Sequence, residues 1–176
     1  MKSYKLFILF ILFVVQLVGC APSTILAIPT SIADRRTTET QILDNKIFLA
    51  AWNPIQEIIA TEEQKSRFNL LVYNRAVIVV GEVPSEAIKN NITEAVSKIK
   101  NVKTVHNKMI VGSAIKIKQI AKDTITTSNV KTRLFLELKN EVHPLHVKIM
   151  TENDIVYLAG IVNEKEAGAA ISIAKS

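Results

Sequence analysis

The chain has 176 residues, room for one or two small domains, and 48% of them are hydrophobic while only 6% are aromatic. Lys and Arg number 22 against 16 Asp and Glu, a formal charge of +6. A single cysteine excludes an intrachain disulfide, five scattered glycines exclude a glycine-rich phosphate loop, and no Gly-x-Ser-x-Gly elbow offers a hydrolase nucleophile.

In chain order, Lys2 and Lys5 precede an apolar run, Leu6 to Val18, whose one polar residue is Gln16. About 13 residues fall short of the roughly 20 needed to span a bilayer and suit the apolar region of a secretory signal. The run ends Leu17-Val18-Gly19-Cys20, an aliphatic residue and a small one ahead of cysteine. This resembles the signal of bacterial lipoproteins. The resemblance implies removal of residues 1–19 and covalent lipid on Cys20, a diacylglycerol on the thiol and a further acyl chain such as palmitate on the amine. Several acyl chains anchor stably where a single myristoyl does not. The competing reading is an uncleaved signal anchor with an incidental cysteine. Ala21, where aspartate could stand, implies sorting to the outer membrane. Taking Lys2 and Lys5 from the 22 basic residues leaves a surplus of four over the 16 acidic ones, so the mature chain is mildly basic.

Residues 20–40, rich in Ser, Thr, Ala and Pro with Arg35-Arg36 in the later half, read as a lipidated tether. Such a length of flexible chain reaches about 25 Å. A helix is expected from about Glu39, with Leu43, Ile47, Ala50 and Ala51 on one face. Asn53-Pro54 is expected to break it, Pro54 to Ala60 forming a second short helix.

Two later stretches repeat each other. Phe68 to Val83 and Val147 to Val162 superpose without a gap, Asn74 on Asn153, Val79 on Leu158 and Gly81 on Gly160. Both alternate apolar residues at period two around a polar corner, Asn74-Arg75 or Asn153-Asp154, which is a β-hairpin pattern. After the first hairpin, Ile88, Ile92, Ala95, Val96 and Ile99 mark an amphipathic helix, and a third strand is expected from Val102 to Val111. In the second copy Asp123 reads as the cap of a helix carrying Val130, Leu134 and Leu138. The last helix opens at Glu164, with Ala167, Ile171 and Ala174 on its apolar face, and no final strand follows. Gly81 and Gly160 are expected to be structural, allowing close backbone packing where a strand hands over to a helix.

This pattern resembles tandem BON domains, as in the dual BON-domain outer-membrane lipoproteins of Gram-negative bacteria. The resemblance rests on both hairpins, on Lys103 to Ile110 as closing strand, and on Asp123-Thr124, Asn129-Val130-Lys131, Thr151-Glu152-Asn153, Gly160-Ile161-Val162 and Glu166-Ala167 in the second copy. It implies an α+β fold: two tandem helix–strand–strand–helix–strand units, each with a small mixed sheet on two helices, the second lacking its last strand. The expected division is signal 1–19, tether 20–40, first BON domain 41–112, basic linker 113–122 and second BON domain 123–176. The resemblance also implies non-catalytic binding to phospholipid, envelope integrity as the role, and lipid contact at the first helix of the second domain.

Charge agrees with that expectation. Lys98, Lys100, Lys103, Lys108, Lys116, Lys118 and Lys122 occur between Ser97 and Lys122 with no acidic residue among them. Each lysine near an anionic bilayer contributes about 1 kcal/mol. Lys116, Lys118 and Lys122, with Ile125 in the apolar slot after Asp123-Thr124, are the candidate phospholipid-binding residues. The plainer reading is a solvated face. No aromatic interleaving marks a nucleic-acid surface. His143 and His146 flank Pro144, and with His106 they make a poor zinc set without a cysteine, so no metal or other cofactor beyond the lipid on Cys20 is expected. Trp52 and Tyr73 are expected in the core or between domains. The expected function is non-enzymatic: a lipid-anchored protein on the periplasmic side of the outer membrane, its partners anionic phospholipid and envelope proteins. The alternatives are a protein-interaction module that pairs through the open sheet edge of the second unit, or a degraded, truncated product.

Overall fold

The computed structural model describes residues 34–61, 66–112, 117–137 and 143–176. Helix α1 runs Thr38–Ala60, its first turn capped by the Thr37 hydroxyl, which accepts from the Thr40 N–H at 3.2 Å. Ile47, Ala51 and Ile55 repeat at four-residue spacing and are almost fully buried. The expected break at Asn53-Pro54 does not occur, and Pro54 lies inside one continuous helix. An interior proline costs about 3 kcal/mol. Burial of Ala51 before it and Ile55 after it holds the two halves in line against the same sheet.

Strands β1 (Arg67–Tyr73) and β2 (Ala76–Val83) form the expected antiparallel hairpin, joined by Asn74 and Arg75 at φ 50° and 66°. Two successive positive φ values make the turn whose twist matches the strands. Helix α2 (Glu86–Ser97) follows, capped by Ser85, and buries Ile88, Ile92 and Val96. These pack with Ile47, Ala51 and Ile55 of α1 onto Phe68, Leu70, Val72, Val77 and Val79, the inner face of the hairpin. The expected third strand is two pieces, β3 (Thr104–Asn107) and β4 (Ile110–Val111), each parallel to β2. Between them the Asn107 carboxamide accepts from Met109 N–H at 3.0 Å and donates to Lys89 O and Thr93 Oγ1 on α2. That kink turns Met109 into the core.

The second unit comprises α3 (Ile117–Glu137), a short 3-10 turn (Pro144–His146), β5 (Val147–Glu152), β6 (Ile155–Gly160) and α4 (Glu164–Lys175). Helix α3 begins before Asp123, so Asp123 is not its cap; it sits inside the helix, buried. Leu138 lies outside the described residues. The two-stranded second sheet agrees with expectation. On α4 the buried positions are Glu166, Ala170 and Ile173, whereas Ile171 is exposed, contrary to the gapless repeat. The loop explains the shift. The cap is Ser85 in the first unit but Asn163 in the second, one residue earlier in the repeat, which rotates α4 by one position. Asn163 and Glu166 close a capping box.

The two sheets pack outer face on outer face. Leu71, Tyr73, Val80 and Met150 form a third apolar cluster, with Ile78, Tyr157 and Ala159 against it. Tyr73 is accordingly an interdomain residue, while Trp52, on α1, stacks at the surface with Phe48 and Phe68. The glycines serve the strands rather than a helix junction. A Cβ on Gly81, at φ +123°, would stand 2.1 Å from the Arg67 carbonyl oxygen, and one on Gly160 would stand 2.5 Å from that of His146. Gly81→Ala is therefore expected to destabilise by about 2–3 kcal/mol in denaturant titration. An unchanged midpoint would contradict the close approach.

Candidate functional site

Helix α3 shows two opposite faces. Asp123, Val130 and Leu134 are buried against the hairpin, while the far side presents Ile117, Ile125, Phe135 and Leu136 at 60% exposure or more. At 3.6 residues per turn Phe135 falls in line with Ile117, and Ile125 lies about 80° around the axis from both. Lys118 and Lys122 fall beside Ile125 on that face, both exposed. Lys122 also pairs with Asp154 at 2.7 Å, a contact that holds the Asp154 carboxyl below its ordinary range. Such an exposed pair is weak and yields readily to a stronger anion. Thus Lys118, Lys122 and Ile125 are brought together on one solvent face. Lys116 and Cys20 lie outside the described residues. Phe135 and Leu136 complete the face and were not among the expected residues; their register with Ile117 and Ile125 was the available signal.

The face is presented by a device used twice. The Asp123 carboxylate accepts from the N–H groups of Asn153 and Asp154, at 2.9 and 3.0 Å, pinning α3 to the tip of the second hairpin. Asp44 on α1 does the same for Asn74 and Arg75, both at 2.7 Å. Each carboxylate neutralises two amides that a positive-φ turn points away from the sheet. Gln119 donates to Asp123 at 3.0 Å, and the Thr127 hydroxyl donates to Thr151, adding further ties.

Polar clasps set the second unit on the first. Arg67 pairs with the buried Glu152 carboxylate across the sheet interface. The Tyr73 hydroxyl donates to His146 O and the Lys148 ammonium to Val72 O, both at 3.1 Å. Burial, then the nearby Arg36, pushes the Lys148 ammonium below its usual range, and burial pushes Glu152 up despite Arg67. Just ahead of α1, Arg36 binds Asp34 and Asp44 and lies 4.1 Å over the Tyr73 ring, while Arg35 grips Glu166 through two bonds at 2.6 and 2.7 Å. The Arg35 hydrogen bonds hold the Glu166 carboxyl below its ordinary value of 4.5. A depressed carboxylate contributes stability above its unfolded pKa and loses it as pH falls through the folded one. Arg35→Ala should therefore lower the melting temperature at neutral pH, with the gap to wild type shrinking as pH drops below the ordinary carboxylate range, about 4. A gap constant with pH would show that Glu166 is not the partner lost.

Electrostatics separates α3 from the other exposed helix face. Helix α1 also shows Ile42 and Leu49, but apart from the buried Asp44 it carries Glu39 and Glu57 against Lys46. Helix α3 carries Lys118, Lys122, Lys131 and Arg133, and apart from the buried Asp123 its one carboxylate is Glu137, paired with Arg133 at 2.9 Å. An anionic surface favours α3. Among the described residues no group of acidic, histidine or cysteine side chains is arranged to hold a metal, and no helix is long and apolar enough to cross a membrane.

Comparison with known proteins agrees with this architecture. The BON domain family profile matches residues 55–113 and 122–176. The outer membrane lipoprotein DolP of Haemophilus influenzae is 33% identical over 141 residues, covering 80% of this chain and 72% of the relative. The 21 kDa hemolysin of Actinobacillus pleuropneumoniae is 28% identical over 144 residues, 81% of this chain and 72% of that protein. With two matches that each contain a hairpin pinned by a helical aspartate, the chain belongs to the BON domain family and carries two copies of the domain.

Proposed function

We propose that this is a non-enzymatic outer-membrane lipoprotein, anchored through lipid on Cys20 and facing the periplasm, that binds anionic phospholipid and supports envelope integrity. The observation that carries the proposal is the solvent face of α3, where Ile117, Ile125, Phe135 and Leu136 stand exposed beside Lys118 and Lys122. Apolar side chains with flanking lysines are the composition of a helix that lies in a bilayer interface. The family and the outer-membrane lipoprotein relative support the location. Lys116, one residue before the helix begins, belongs to the lipid-binding set in this reading.

The polar arrangement gives a mechanism. Lysines draw α3 to anionic headgroups over a range set by salt, about 8 Å at physiological ionic strength. The apolar residues then enter the boundary between headgroups and acyl chains. Asp123, fixed to the turn amides, keeps the helix from rolling its polar side toward lipid. A chain comprising residues 21–176 should cosediment with vesicles containing phosphatidylglycerol, less so as salt rises, and not with purely zwitterionic vesicles. Absence of binding at low salt would overturn the proposal.

A further inference from the structure

The described residues stack as four layers: α1 with α2, the first sheet, the second sheet, and α3 with α4. Helix α1 packs on the inner face of the first sheet and α3 on that of the second, while the outer faces of the sheets meet at Leu71, Tyr73, Val80 and Met150. The solvent faces of α1 and α3 therefore point in opposite directions and cannot meet within one molecule. Between two molecules they can.

Both faces are apolar with a charged margin. Helix α1 shows Ile42 and Leu49, each more than half exposed, with Trp52 beside them. At 3.6 residues per turn Ile42 and Leu49 lie almost in line, Trp52 falls about 80° to one side, and Glu39 and Glu57 fall about 60° to the other. On α3, Lys118 and Lys122 fall about 20° and 60° beyond Ile125 in that same sense, away from Ile117 and Phe135. All four charged side chains are exposed. Their signs are opposite at equivalent places: the offset that takes Asp44 to Asp123 takes Glu39 to Lys118. Margins that lie in the same rotational sense face each other only when the helices run antiparallel. With Leu49 set on Ile125, Glu57 lies about 12 Å from the first and Lys118 about 10 Å from the second in the same direction, so the two charges meet. Ile42 then falls within a turn of Phe135. Lys46, between the two glutamates, comes level with Ser128 rather than with a lysine.

We infer that, away from anionic lipid, the α3 face of one copy docks antiparallel on the α1 face of a second copy, so that self-association and lipid compete for one surface. The contact is heterologous and leaves one face free at each end, so it propagates from copy to copy. Copies held on one membrane supply both faces at high local concentration. An anionic bilayer offers α3 many headgroup charges against the one carboxylate of Glu57, and displaces the partner. Only this displacement rests on the lipid reading of α3.

The test uses the full-length chain in phosphatidylcholine vesicles, half of the copies isotopically labelled, and a carbodiimide, which condenses a carboxylate with an amine in contact. Dimers and longer species should form, with a Glu57–Lys118 amide joining a labelled copy to an unlabelled one. Phosphatidylglycerol in the vesicles should suppress them. Leu49→Glu and Ile125→Glu, at exposed side chains outside the cores, should each reduce cross-linking about tenfold. An equal mixture of the two variants sets the intact α3 of one against the intact α1 of the other, and should recover dimers without the longer species. Absence of the Glu57–Lys118 link, or a mixture no better than either variant alone, would overturn the docking. Links undiminished by phosphatidylglycerol would overturn the competition. Leu49→Glu leaves α3 intact, so its failure to bind phosphatidylglycerol vesicles would count against the lipid reading alone.

Discussion

Asp44→Ala is expected to destabilise the protein by about 3–5 kcal/mol, the range for breaking a buried ion pair from one side. The Asp44 carboxylate is 1% exposed, binds Arg36 at 2.7 Å and takes the N–H groups of Asn74 and Arg75. Removing it leaves Asp34 as the one carboxylate balancing a guanidinium that is itself only 7% exposed, and strands two turn amides held in left-handed conformation. The lost half of the Arg36 pairing adds to the loss of the amide acceptor. Asp44→Asn retains one acceptor and should cost less. Asp123→Ala, which lacks an arginine partner, should cost about 1–3 kcal/mol. Urea titration with a local probe in each unit measures all three; equal losses for Asp44→Ala and Asp123→Ala would contradict the role given to Arg36.

The second large effect is on binding. Ile125→Glu replaces an exposed apolar side chain, worth about 1.5–3 kcal/mol when buried in lipid, with a like charge facing the headgroups. At about 1.4 kcal/mol per factor of ten, affinity for anionic vesicles should fall roughly 10- to 100-fold. Lys118→Glu should act in the same direction and flatten the salt dependence. Neither side chain takes part in a core, so the unfolding midpoint should move little, within about 0.5 kcal/mol. Vesicle affinity unchanged by either substitution would contradict a lipid face on α3.

Both hairpins were legible because period-two alternation and a polar corner fix register without help from distant residues. What escaped depends on contacts across the fold. Pro54 looked like a boundary because local propensity opposes it, yet burial of Ala51 and Ile55 overrides that preference. Asp123 resembled a helix cap, since a carboxylate ahead of an apolar stripe is a common cap. Its partners are amides 30 and 31 residues later, the same separations as from Asp44 to Asn74 and Arg75. That the hairpin repeat extends back to both aspartates was visible, but its meaning required the turns to be placed. The face of α4 was misassigned because its cap, Asn163, comes one residue earlier in the repeat than Ser85 does. Phe135 escaped because it lies well beyond the lysine run that marks Ile125, and only the helical rotation of α3 returns it to the same face.

The lipid-binding face of α3 is tested most directly by measuring membrane depth with a nitroxide at position 125 and, in a second sample, at position 49 on α1. Both parent side chains are exposed, Ile125 at 60% and Leu49 at 67%, so neither label disturbs a core. On vesicles containing phosphatidylglycerol, the label at 125 should become shielded from an aqueous relaxant and accessible to oxygen, while the label at 49 stays aqueous. A label at 125 that remains aqueous while the protein is bound, or one at 49 that inserts in its place, would contradict the account.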